Sequence, residues 1–358
     1  MSATQKKPGL RGIHAGWYAG VFVLVLGLVA LALYGSGAYD SWRDGRSLDE
    51  ACDGTLAQGG LASAMGSSHL RAEQDDGGSS LAQCFVKTAR SGTGRAVQIT
   101  LRWSTAGPPS DTLVWYNADY NGVRAQAAPL GNGWSGVVRY DGTWQIMVAL
   151  DCVNQKNKAL VAYGDLFGAS NGTALTGLGR VTSETAQKAA EKYGCQAEAG
   201  RRLTSVSTAL LGKPGTAKPL GQAQGSCVAL RGTTAPQNST PEIMEYPADT
   251  DAPQTNCYLV TKAQKPGYGL YAYYGAAAKD FESVGFTHPD DDYAWATATC
   301  PRSTQKAVFV IYRLYDRDAD TFPVAHYSNS FARSALKAFA DHEAKQRGCT
   351  GVRLADRS

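Results

Sequence analysis

At 358 residues the chain is long enough for two domains of ordinary size, and its net charge of +4 raises the question of a polyanionic partner. Three of the 35 Lys and Arg residues precede an apolar N-terminal run and all 31 Asp and Glu residues follow it, so the remainder is close to neutral. Beyond the pair Arg201-Arg202 no basic block occurs, and a nucleic-acid surface, which needs clustered cations to displace counterions, is excluded.

The apolar run is Trp17–Tyr34, eighteen residues without a charge. As a helix it would extend about 27 Å, close to the roughly 30 Å hydrocarbon core of a bilayer. Trp17, Tyr18 and Tyr34 mark its ends as interfacial aromatics, and Lys6, Lys7 and Arg11 precede it, whereas the next cation is Arg43. The bias predicts a cytosolic tail over 1–16, a transmembrane helix over 17–34 and an exported body. A cleaved signal peptide with Ala30-Leu31-Ala32 as its processing site is the rival, but the run continues past that site. The tail of sixteen residues is too short to fold, so the work is done outside.

Next comes an expected spacer, 35–46, followed by Ser47-Leu-Asp-Glu50, a capping-box pattern opening a short helix that carries Cys52. Strands are predicted over Cys84–Ala89, Ala96–Trp103, Thr112–Asn117, Gly136–Tyr140, Thr143–Leu150 and Lys158–Tyr163. Val97, Ile99 and Leu101 alternate with polar residues as on a half-buried strand, and Asp141-Gly142 is a hairpin signal. Ser183–Tyr193 reads as helix with Gly194 as its left-handed stop. The stretch 201–225, with Pro214 and Pro219, reads as an interdomain linker in which Leu203–Leu211 is apolar enough to pack on either side. Beyond it, strands are expected over Cys257–Thr261, Gly269–Tyr274, Ala294–Cys300 and Lys306–Tyr315. The last helix, Asn329–Arg347, sets Phe331, Ala335, Ala338, Phe339 and His342 on one face.

The eight cysteines repeat in their surroundings. Cys84-Phe-Val-Lys-Thr matches Cys257-Tyr-Leu-Val-Thr. Cys152 and Cys300 end alternating stretches and precede Lys158-Ala159-Leu160 and Lys306-Ala307-Val308. Cys195 and Cys349 follow Gly194 and Gly348 at helix ends. Three coincidences in one order indicate an internal duplication, with extracytoplasmic domains over 47–200 and 226–358. Short Cys-x2-4-Cys pairs suited to zinc are absent, so disulfides in an oxidising compartment are expected. Four cysteines per half allow three pairings. Neighbour pairing is expected, Cys52–Cys84, Cys152–Cys195, Cys227–Cys257 and Cys300–Cys349, because each then ties a helix or leading segment to an adjacent strand. The fold class is α+β: each half an antiparallel sheet with flanking helices and two disulfides.

The order of anchor, Cys-led short helix, Cys-led strand and Cys-capped final helix resembles uncharacterised membrane-anchored or lipid-anchored extracytoplasmic proteins of actinobacteria. The resemblance implies an envelope location and brings no catalytic residues. It departs from the lipid-anchored members, since the first cysteine, Cys52, lies well beyond the apolar run.

No residue set spells out a chemistry. His14 is cytosolic, leaving His69, His288, His326 and His342, too few for a duplicated site. Gly133-Trp134-Ser135-Gly136 falls short of a nucleophile elbow because Val137 follows. Asp316-x-Asp318-x-Asp320 starts like a calcium loop but has Thr321 and Tyr327 where Gly and Glu belong, and reads as a turn. Neither metal nor cofactor is expected. Asn171-Gly-Thr173 and Asn238-Ser-Thr240 match glycosylation acceptors. Tyr271 and Tyr273 lie on the same side of a strand, which offers a stacking ledge for wall sugars or, alternatively, cross-strand packing. The reading is a membrane-anchored, non-enzymatic binding or interaction module of the cell envelope, facing cell-wall glycan or another envelope protein. The alternatives are an extracytoplasmic hydrolase acting on wall glycan or peptide, with carboxylates near His288 and His326 as its candidates, and a scaffold subunit of a membrane complex.

Overall fold

The structure, a computed structural model, describes residues 21–25, 38–75, 78, 80–89, 94–104, 119–120, 127–209, 211, 216–233, 239–279, 293–316 and 318–355. In the first half, helices α1 (Ala38–Gly54) and α2 (Leu61–Met65) precede strands β1 (Leu70–Asp75), β2 (Ala82–Thr88) and β3 (Ala96–Trp103). Then follow β4 (Asp119–Tyr120), β5 (Ala127–Pro129), β6 (Gly136–Asp141), β7 (Thr143–Asp151), β8 (Ala159–Phe167) and helix α3 (Gly172–Lys192). The second half has β9 (Lys218–Pro219), β10 (Glu242–Glu245), β11 (Gln254–Val260), β12 (Pro266–Tyr273), β13 (Tyr293–Thr299), β14 (Lys306–Arg313) and β15 (Tyr315–Asp316). It ends with α4 (Asn329–Gln346) and β16 (Thr350–Leu354).

Two seven-stranded sheets result, ordered β1-β2-β3-β8-β7-β6-β5 and β16-β13-β14-β12-β11-β10-β9, and every pairing within them is antiparallel. Five strands of each follow the same path, β1-β2-β3-β8-β7 and β10-β11-β12-β14-β13. The Asp141-Gly142 hairpin forms, with Gly142 at φ +72° and Tyr140 opposite Trp144. β4 and β15, one from each half, pair in parallel through Tyr315↔Asp119 and Asp316↔Tyr120.

Alternation along the strands sorts the side chains into three cores. Val97, Ile99, Leu101, Ile146 and Leu160 face α1–α3, while Leu270, Phe309 and Ile311 face α4. The opposite faces, Met147, Val161 and Tyr163 from the first sheet and Tyr258, Tyr271, Val308 and Val310 from the second, form a third core. The layers therefore run helix, sheet, sheet, helix. All eight residues of β12 are buried, as befits a strand covered on both faces.

The four disulfides pair neighbours as the sequence suggests: Cys52–Cys84, Cys152–Cys195, Cys227–Cys257 and Cys300–Cys349. They close separations of 30 to 49 residues, which chain-entropy arguments put at about 3.5–4 kcal/mol each.

Several boundaries differ from expectation. The spacer over 35–46 is helical from Ala38, so Ser47 lies inside α1, where its Oγ donates to the Asp44 carbonyl instead of capping. α3 begins at Gly172, eleven residues earlier than the sequence indicated. Its Asn171 side chain accepts from the Ala174 N–H at 2.9 Å, so the asparagine of that acceptor motif caps a helix. Gly177 is required by contact: a Cβ there would sit 2.5 Å from the Ala64 nitrogen of α2. Leu203 and Val206 of the expected linker are buried in the first core, and Lys218–Pro219 adds β9 to the second sheet. Of the expected span Trp17–Tyr34, only Val21–Val25 lies within the described residues, where it is helical and exposed. Among the described residues no helix is long and apolar enough to cross a membrane. The strand expected over Thr112–Asn117 lies outside them.

Candidate functional site

Where the two sheets meet beyond the end of β7, the chain leaves a cleft of ≈ 320 Å³ lined from both halves. Ser135, Asp151 and Glu198 come from the first half, and Asp251, Ser303 and Arg347 are among the residues from the second. Asp151 is the last residue of β7, one position before Cys152, whose bond to Cys195 fixes the strand end.

The Asp151 carboxylate reaches across the boundary. Its Oδ1 accepts the Ala276 N–H at 3.1 Å, and the Ser303 hydroxyl also bonds to it. Gly275 makes this approach possible, since it holds φ +53° and a Cβ there would lie 1.8 Å from Asp151 Oδ2. Burial pushes the Asp151 carboxyl up to about 6 against the opposing pull of those two hydrogen bonds. Glu198 and Arg302 pair across the same boundary at 3.0 Å, and the Asn157 N–H donates to Thr304 Oγ1 at 3.0 Å.

The second-half wall is set by Arg347 at the end of α4. Its guanidinium stacks 3.5 Å from the Tyr274 ring centroid and donates to the Ala252 and Asp249 carbonyls, both at 2.9 Å. Tyr274 donates from its hydroxyl to Glu343 Oε2 at 3.0 Å, and burial holds the phenol well above its usual pKa. Glu343 is thus buried on α4 where the periodicity pointed to His342, which is only half-buried.

Chemically, the cleft offers carboxylates, guanidinium groups and hydroxyls, of which Asp151, Ser303, Arg347 and the Glu198–Arg302 pair are held by partners in the fold. This suits binding and orienting a polar ligand. Ser303 hydrogen-bonds Asp151, whose carboxyl burial raises, and the lining cysteine, Cys300, is tied up in a disulfide.

The residues singled out by sequence fall elsewhere. Tyr271 and Tyr273 do stack, with rings 6.2 Å apart and 6° from coplanar, but both are 0% exposed. Of the two readings offered by the sequence, an open ledge or aromatic packing, their burial agrees with packing, here between the sheets, because the face they occupy meets the other sheet. Trp134 is buried and donates from Nε1 to the Arg201 carbonyl at 2.7 Å. Asp316 is also buried, paired with Lys265 at 2.9 Å and accepting from the Asp318 and Ala319 N–H groups; the Lys265 bond holds its carboxyl below the usual range. Among the described residues no group of His, Cys, Asp and Glu is placed to hold a metal. His69 and His326 are exposed and away from the cleft, while His288, its acidic neighbours over 290–292 and Asn238 lie outside the described residues. Asp151, Gly275, Glu343 and Arg347 escaped the sequence reading. Only the position of Asp151 beside Cys152 hinted at a fixed strand end.

Comparison with known protein families, with curated proteins and with solved structures returned no match.

Proposed function

We propose that the chain is a membrane-anchored, extracytoplasmic binding module of the cell envelope, built from two copies of one cross-linked unit, and that it holds its ligand in the cleft between them. The observation that carries the reading is that one cleft takes its lining from both halves, with Asp151 of the first anchored on Gly275-Ala276 of the second. The shared strand path and the matching positions of the disulfides support duplication. Four disulfides support an oxidising compartment, and the eighteen-residue apolar run supports the anchor, with the N-terminus cytoplasmic. With the tyrosine pair enclosed, recognition of wall glycan, wall peptide or an envelope protein passes to the polar cleft.

The test incubates the full chain with soluble muropeptides and with membrane extracts, alongside Ser135→Trp, which places an indole in the cleft. Ligand retention is expected to fall at least tenfold, about 1.4 kcal/mol, in the variant. Equal retention removes the cleft from the reading. Cleavage of muropeptides by the wild type replaces it with a hydrolase.

A further inference from the structure

Helix α1 begins at Ala38, four residues after Tyr34 closes the apolar run. Four residues span at most about 14 Å even when fully extended. The polar interfacial layer of a bilayer is roughly 5–8 Å deep on each side. The first turns of α1 are thereby confined to the immediate neighbourhood of the headgroups if the apolar run spans the bilayer.

These turns have two dissimilar sides. On the inner side Asp44 accepts from Arg71 Nε at 2.8 Å, Ser47 Oγ accepts the Ala72 N–H at 3.1 Å, and Leu48 packs on the first core. On the outer side Trp42 is 58% exposed and flanked by exposed Arg43 and Arg46. The Arg46 guanidinium lies 5.6 Å from the Trp42 ring centroid, while its Nε bonds Glu50 at 2.7 Å. Along the exposed side from Trp42 onward the cations Arg43 and Arg46 precede the acids Asp49 and Glu50. An exposed indole beside two guanidinium groups matches the chemistry of the membrane interface: the ring favours the boundary between acyl chains and headgroups, and the cations favour lipid phosphates.

We propose that the outer side of the first turns of α1, carrying Trp42, Arg43 and Arg46, docks on the lipid headgroups of the bilayer that the apolar run enters. Docking fixes the orientation of the exported body relative to the membrane. The inference rests on the anchor in the proposed function, and the experiment separates the two.

The full chain and its Trp42→Phe variant are reconstituted in vesicles of phosphatidylcholine and phosphatidylglycerol, with lipids brominated near the glycerol end of the acyl chains. Flotation reports the anchor, and the difference in tryptophan quenching between the two proteins reports Trp42 alone. Both proteins are expected to float, with a quenched component in the wild type that the variant lacks. That component is expected to shrink severalfold in Arg43→Gln/Arg46→Gln and in high salt. Flotation with identical quenching in both proteins overturns the docking and leaves the anchor standing. Failure to float overturns the anchor and the docking with it. A Trp42 shielded from aqueous acrylamide yet untouched by brominated lipid also overturns it, because the face is then covered by another protein surface.

Discussion

Asp151 illustrates what a single side chain does at the boundary. Its carboxyl is raised from 3.8 to about 6 because burial disfavours the charge more than Ala276 and Ser303 favour it. A folded-state pKa above the unfolded value means that the folded form holds a proton the unfolded chain has already lost. Asp151 therefore costs nothing below about pH 4, becomes progressively destabilising up to about pH 6, and beyond that costs at most about 3 kcal/mol. Asp53, Glu245 and Asp316 shift the other way, so the stability they contribute is present above the unfolded carboxyl range and lost as pH falls. The informative quantity is thus the difference between the wild type and Asp151→Asn. Urea titrations at pH 4, 5, 6 and 7 are expected to show the variant gaining on the wild type as pH rises; a constant difference refutes the assignment. None of this was legible in the sequence, since Asp151 acquires its environment from residues more than a hundred positions away. Tyr271 and Tyr273 teach a similar lesson. Their shared side was readable from strand periodicity, whereas the sheet that covers them was not.

The cysteine framework, the hairpin at Gly142 and the final helix were readable because each rests on local periodicity or turn chemistry. The first half of α3 was not, because its glycines argue against a helix when only local propensity is weighed. Gly177 is there for α2: its Cβ position lies 2.5 Å from the Ala64 nitrogen and 2.7 Å from the Gly60 carbonyl oxygen. Gly177→Ala is expected to cost about 1–3 kcal/mol by forcing α2 away from α3, despite the better helix propensity of alanine. Gly172→Ala, in open space at the exposed start of the same helix, is expected to be neutral or to stabilise by up to about 1 kcal/mol. Chemical denaturation of the two variants checks the opposite signs; equal effects would show that packing against α2 is not the reason for the glycine. β1, β10 and β16 were also missed, as short or edge strands carry little alternation of their own.

At the scale of the whole molecule, the sheets meet through faces that would each be wet and apolar alone. Residues 226–358 expressed without the first half would expose Tyr258, Tyr271, Val308 and Val310. That half is expected to self-associate and to bind a hydrophobic dye, as light scattering and dye fluorescence would reveal. A well-behaved, dye-silent monomer would contradict the face-to-face arrangement. All four disulfides nevertheless close inside one half or the other, and none of them joins the two sheets. For an exported chain, this allows oxidative maturation to proceed vectorially: the first pair of bonds can be completed while the remainder is still emerging. The final docking of sheet on sheet then involves no thiol chemistry and needs no disulfide reshuffling.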